Sequence, residues 1–166
     1  MRSSSASGRA RSAPRPTGSR PTSPCIRTAT SGTRGKREAA KQFFGLLGFK
    51  EDKSVVIKGP QFSTYMGVDG IEAEHVTLTL VNVSPRTEVQ LLKYRHPNPV
   101  PAPAIGNLTR LGFNHVCFAV DDLEAEVARL KAKGVQLRNE VMHFHNRKLV
   151  FLSGPEGITV ELAEWE

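Results

Sequence analysis

The chain has 166 residues, 39% of them hydrophobic, and a formal charge of +7, a length suited to one domain with a sizeable core. No apolar run approaches the ~20 residues of a membrane-spanning helix, and Cys25 and Cys117 are too few for a disulfide framework and too far apart for a zinc or redox motif, so a reducing, cytoplasmic setting is the default. Nine basic residues and no acid precede Glu38; the charge belongs to that tail, and the rest of the chain, at −2, lacks the balance of a folded nucleic-acid module.

Residues 1–22 (MRSSSASGRARSAPRPTGSRPT) are rich in Ser, Arg, Pro and Gly and cannot bury enough surface to offset their ordering entropy, so disorder is expected there. Their Arg-rich, Ser-rich and acid-free composition also fits a mitochondrial or plastid transit peptide, or a start placed in the wrong reading frame. A first unit, 23–94, reads as a strand, a helix over about 36–47, and strands at about 53–58, 71–81 and 87–94. Ala40, Phe43, Phe44 and Leu47 form one apolar stripe on that helix, which Gly48 ends. The stretch 61–70 (QFSTYMGVDG) carries no readable signal. Pro-rich residues 95–110 read as a linker.

A second unit, 111–166, repeats the order. A strand over 114–120 precedes a helix over 122–133, with Asp121-Asp122 as its N-cap, Leu123, Val127 and Leu130 on one face, and Gly134 as its stop. Strands follow near 136–145, 148–152 and 158–165, the last two separated by the turn Gly154-Pro155-Glu156-Gly157. Val89-Gln90-Leu91-Leu92-Lys93-Tyr94 matches Val160-Glu161-Leu162-Ala163-Glu164-Trp165, and the segment 22–28 matches 114–120, in register. The fold class is therefore α+β: two tandem βαβββ modules whose mixed sheet curls around a cleft.

The segments His115-Val116-Cys117-Phe118-Ala119-Val120-Asp121-Asp122-Leu123 and 151–162 (FLSGPEGITVEL) resemble the second module of vicinal-oxygen-chelate proteins, the superfamily of glyoxalase I, methylmalonyl-CoA epimerase, bleomycin-resistance proteins and extradiol dioxygenases. The segment 43–49 (FFGLLGF) is similar to the end of the first helix in the same proteins. The likeness covers about 36–166. It implies one divalent metal ion (zinc, nickel, cobalt or iron) held by His115 and Glu161 of the second module and Gln90 of the first. It also implies that the Glu161 carboxylate moves a proton on carbon. The remaining ligand, normally His on the first strand, would fall on Ser23, a departure because hydroxyls bind divalent ions poorly.

His75 could face the cleft in place of that ligand. His143 and His145 alternate with Phe144, so both should lie on one strand face near the pocket mouth. The function this implies is a metal-dependent lyase or isomerase of the glyoxalase type, acting on a small molecule through two vicinal oxygens and an enediolate-like intermediate. The alternatives are a metal-free sequestering protein of the bleomycin-resistance type and an extradiol-type dioxygenase. A homodimer is expected, with neither a membrane nor a specific nucleic acid as partner.

Overall fold

The computed structural model of the protein describes residues 23–30 and 34–166. The tail reading for 1–22 lies outside the described residues. Eight strands and three helices follow in order: β1 (Cys25–Thr30), α1 (Arg34–Leu46), β2 (Phe49–Lys58), α2 (Pro60–Met66), β3 (Glu72–Leu80), β4 (Glu88–His96), β5 (His115–Ala119), α3 (Leu123–Ala132), β6 (Met142–Phe144), β7 (Arg147–Ser153) and β8 (Thr159–Trp165). They build two four-stranded mixed sheets of matching order, β1-β4-β3-β2 and β5-β8-β7-β6. In each, the first strand runs parallel to the last and the other neighbours are antiparallel. This is the α+β arrangement that the repeat predicts, and the sheets do not close into a barrel.

Each sheet buries one face under its long helix. On the first, Val76, Leu78, Val89 and Leu91 meet Ala40 and Phe44 of α1; on the second, Val150, Leu152, Val160 and Leu162 meet Leu123, Val127 and Leu130 of α3. The i, i+4 and i, i+3 spacings place those helical residues on one stripe. Asp122 caps α3 by accepting from the Ala125 N–H at 2.9 Å. After the helix Gly134 takes φ +82°, and the Val135 N–H closes on the Leu130 carbonyl at 3.1 Å, the left-handed ending that glycine permits.

Phe43, Leu47, Phe118 and Ile158 pack against both clusters, the Phe49 and Phe118 rings meet edge-on at 5.5 Å, and Arg129 Nη2 donates to the Leu46 carbonyl at 2.5 Å. The two halves therefore share apolar contacts on the helix side. The opposite faces carry the polar side chains considered below. None of the described helices is long and apolar enough to cross a membrane.

Several elements depart from or refine expectation, β2 among them, which starts at Phe49 rather than near residue 53. The stretch without a readable signal contains α2, a helix of seven residues with Pro60 at its start. It lies over the far face of the first sheet, where Met66 packs on a third cluster of Ile57, Ile71, Ala73 and Leu92. Strand β6 has only three residues; most of the predicted 136–145 strand is irregular, joined to β7 by a bridge between Leu137 and Leu152. A single 3-10 turn, Pro155–Gly157, fills the predicted turn before β8.

Candidate functional site

His115 opens β5, and Glu161 lies in the middle of β8. The parallel register sets His115 beside Thr159 and Cys117 beside Glu161, so residues two apart share the face away from α3. Across that face His115 Nε2 lies 3.0 Å from Glu161 Oε2, with the side chains 36% and 9% exposed. The imidazole is held from two other directions. Asn114 Oδ1 lies 2.6 Å from Nδ1, and its own amide donates to the Leu108 carbonyl at 3.1 Å. The Phe151 ring stands edge-on to the imidazole at 5.4 Å.

Both ring nitrogens thus face oxygen acceptors. With Nδ1–H donating to the Asn114 carbonyl oxygen, a neutral imidazole presents the Nε2 lone pair to a carboxylate oxygen. Two acceptors at 3.0 Å repel unless a proton or a cation lies between them. Beside them, burial, and after it the charge of Glu161, push the Cys117 thiol up to about 11. It stays protonated near neutrality and donates to the carboxylate.

Gln90 has other company. Its Oε1 accepts from Arg27 Nε at 3.1 Å and Nη2 at 3.0 Å, and its Nε2 donates to Glu88 at 3.3 Å. The amide oxygen is thus committed to a guanidinium, and neither partner is His115 or Glu161. Among the described residues no further His, Cys, Asp or Glu completes a threesome with that pair; the single such group is Asp122, Glu124 and Glu164. Its carboxylates are already engaged, Asp122 in the helix cap, Glu164 with the Leu123 N–H at 2.7 Å, and Glu124 with Lys148 at 3.1 Å.

The register corrects the position given to the missing first-strand ligand. Cys25 stands beside Glu88, two residues before the Arg27–Gln90 pair, just as His115 stands beside Thr159, two before Cys117–Glu161. The counterpart of His115 is therefore Cys25, and Ser23 precedes the strand. A slip of two leaves every side chain on its own face, so the hydrophobic pattern could not expose the error. His75 shares a cavity with Arg27 and has no bond to the second-sheet pair among the described contacts. The expectation for the other histidines also changes. β6 ends at Phe144, His145 sits in the hairpin turn with φ +55°, and His143 alone remains on the strand, 3.6 Å from the Glu166 carboxylate.

Residues 32–151 match the family description of the glyoxalase/bleomycin resistance protein/dioxygenase superfamily. The chain belongs to this superfamily. Curated relatives match over shorter stretches: glyoxalase I of Saccharomyces cerevisiae is 31% identical over 51 residues, 31% of this chain and 16% of its own length. Lactoylglutathione lyase of Schizosaccharomyces pombe is 33% identical over 51 residues, 31% of this chain and 17% of its own. The chain thus spans about a sixth of the length of these relatives.

Among solved structures, a glyoxalase family protein from Bacillus cereus aligns over 90% of this chain and 97% of its own, at 21% identity and a TM-score of 0.75. A fosfomycin resistance protein from Listeria monocytogenes, complexed with manganese(II) and sulfate, aligns over 88% and 93% at 13% identity and a TM-score of 0.52. An antibiotic binding protein from a Streptomyces species gives the same TM-score at 18% identity, over 87% of this chain and 98% of its own. At these identities the likeness concerns the fold. A divalent ion suits the His115–Glu161 pair, whose nitrogen and oxygen donors converge. Gln90, as held by Arg27, does not extend that donor set.

Proposed function

We propose that the chain is a divalent-metal-dependent lyase or isomerase of the glyoxalase type, acting on a small molecule that offers two neighbouring oxygens. The observation that carries this reading is the 3.0 Å approach of His115 Nε2 to Glu161 Oε2, with Asn114 claiming the other ring nitrogen. Superfamily membership and the manganese complex of the Listeria neighbour support it further. His115 and Glu161 would hold the ion, which when bound supplies a Lewis acid that polarises substrate oxygens. Asn114 keeps the imidazole in the ligating tautomer. The Phe151 ring packs edge-on against the imidazole, and Glu161 would accept and return a proton.

Metal analysis of protein purified without added metal, beside His115→Ala, tests this reading. About one equivalent of divalent ion in the parent, lost in the variant, is expected for a single site. Absence of metal in both, even after incubation with nickel, zinc, cobalt, iron and manganese, overturns it. A second reading, metal-free sequestration of a small molecule, draws on Arg27 occupying the Gln90 oxygen, which leaves the first sheet without that donor. Metal analysis separates the two. A homodimer is proposed as well, because Leu111 and Phe113, just before β5, are 97% and 79% exposed and suit burial against a second copy. Sedimentation giving a clean monomer would rule the dimer out.

A further inference from the structure

A line of side chains crosses the first sheet on the face away from α1. Arg27 stands beside Gln90, Gln90 beside Thr77, and Thr77 beside Lys53, so four strands present a guanidinium, an amide, a hydroxyl and an ammonium in one row. With strands ~4.8 Å apart, the cations at the two ends are near enough for their long side chains to reach over the middle of the row.

Lys53 owes its position to an irregularity in β2. Glu51 pairs with Leu78, but Lys53 pairs with Thr77, the very next residue of β3. The surplus residue, Asp52, turns the rest of the strand over. Upstream, Phe49 faces α1 in the core; downstream, Lys53, Val55 and Ile57 line a cavity of about 270 Å³ together with Arg27, Phe62, Tyr65, Met66, His75 and Thr77. Its walls are mostly apolar, and α2 contributes Phe62, Tyr65 and Met66.

Arg27 is positioned rather than neutralised. Two of its nitrogens donate to Gln90, a third lies 3.4 Å from Met66 Sδ, and its guanidinium carbon stands 5.9 Å from the Tyr65 ring centre. In this half of the chain Arg37, Lys41, Arg86, Lys93 and Arg95 all have carboxylate partners. Among the described residues no ion pair includes Arg27 or Lys53. Every Asp and Glu of this sequence lies from Glu38 onward, so residues 1–22 and 31–33 contain none that could serve. Two cations at an apolar cavity without a counter-charge favour an anionic guest, and the planar guanidinium suits a carboxylate.

We propose that this cavity binds a small organic carboxylate, its acid group on Arg27 with Lys53 as second cation, its apolar body against Val55, Ile57, Phe62 and Tyr65. The volume limits the guest to about one ring or one short branched chain. The cavity shares no lining residue with the His115–Glu161 pair, so the inference stands whether or not a metal binds there.

Calorimetric titration of the full chain with 3-phenylpropionate and with its neutral amide tests the proposal. The acid is expected to bind at least tenfold more tightly than the amide, and Arg27→Met to remove that preference while leaving the circular dichroism spectrum unchanged. Should Arg27→Met fail to fold, Lys53→Met, at an exposed position, is expected to weaken the acid at least threefold. No binding of the acid, equal binding of acid and amide, or full binding in folded Arg27→Met overturns the proposal, as does no weakening in Lys53→Met. Acid binding that survives Arg27→Met but is lost in His115→Ala places the guest on the other sheet, and overturns it too.

Discussion

Asn114 touches the proposed chemistry only through His115. Its Oδ1 lies 2.6 Å from Nδ1, where it accepts a hydrogen bond from the tautomer that ligates through Nε2, and its amide is tied to the Leu108 carbonyl, so it favours that tautomer and orients the ring. Replacing it by Ala frees the ring to rotate and should weaken metal binding by roughly 10–100-fold, read by competitive chelator titration; unchanged affinity would dismiss this positioning role. Cys117 gives a pH prediction. Its thiol is pushed up to about 11, by burial first and then by the Glu161 carboxylate. Because only the thiolate reacts, and the folded state retains its proton to higher pH, alkylation at pH 8 should run at least tenfold slower than for an unperturbed thiol, exposed though the residue is. The rate should climb toward pH 11 in the folded protein. Rapid labelling of Cys117 at pH 8, mapped by mass spectrometry, would contradict the assigned surroundings.

At the scale of elements, Glu74 fastens α1 to the first sheet. It accepts from Arg37 of α1 and, at 2.9 Å, from Arg95 of β4, with Lys93 at 3.8 Å. The Arg95 hydrogen bond leads in holding its carboxyl below the usual range, with burial opposing and Lys93, Arg37 and Arg95 adding their charges. A carboxylate lowered in the folded state stabilises above its unfolded value and ceases to do so as pH falls through its folded value. Glu74→Gln should therefore cost about 1–2 kcal/mol at pH 7, and the gap from parent should narrow as pH falls below 4.5. Urea unfolding at both pH values measures it; a gap that persists in acid would point to packing instead. The elements legible in the sequence are those whose signals are local. The Asp122 cap, the Leu123/Val127/Leu130 stripe and the Gly134 ending are determined by neighbours in the chain. Helix α2 is not, because seven residues with none buried give too little periodicity, although Pro60 at its start and Gly67 at its end are capping signals a closer reading could use. The site divides likewise. His115 and Glu161 are singled out by the family resemblance, whereas the Arg27–Gln90 bond and the counterpart role of Cys25 depend on strand register, which a two-residue period leaves ambiguous.

The whole molecule is held together on its helix side. Phe43, Leu47, Phe118 and Ile158 belong to both large clusters, and the Phe49–Phe118 contact joins β2 to β5. The halves are therefore expected to unfold in one cooperative transition, and Phe118→Ala to cost about 2 kcal/mol, below the range for a fully buried aromatic because Phe118 is only partly buried. Scanning calorimetry resolving two separate transitions in the parent would refute that coupling. Away from the helices, the duplicated halves have diverged in charge. The second sheet gathers acceptors at His115 and Glu161, suited to a cation, while the first gathers donors at Arg27 and Lys53, suited to an anion.

That divergence depends on how β2 absorbs a surplus residue. Strand positions alternate between two sides, so the chain beyond Asp52 obeys a parity rule. Deleting Asp52 would leave Lys53 directly after Glu51 and still opposite Thr77, so Lys53, Val55 and Ile57 would keep the cavity face, whereas straightening the strand with Asp52 retained would pair Asp52 with Thr77 and turn Lys53, Val55 and Ile57 toward α1. The lining thus survives loss of the surplus residue but not loss of the irregularity that absorbs it, and the backbone at Asp52, not its side chain, keeps the acid-binding face turned to the cavity.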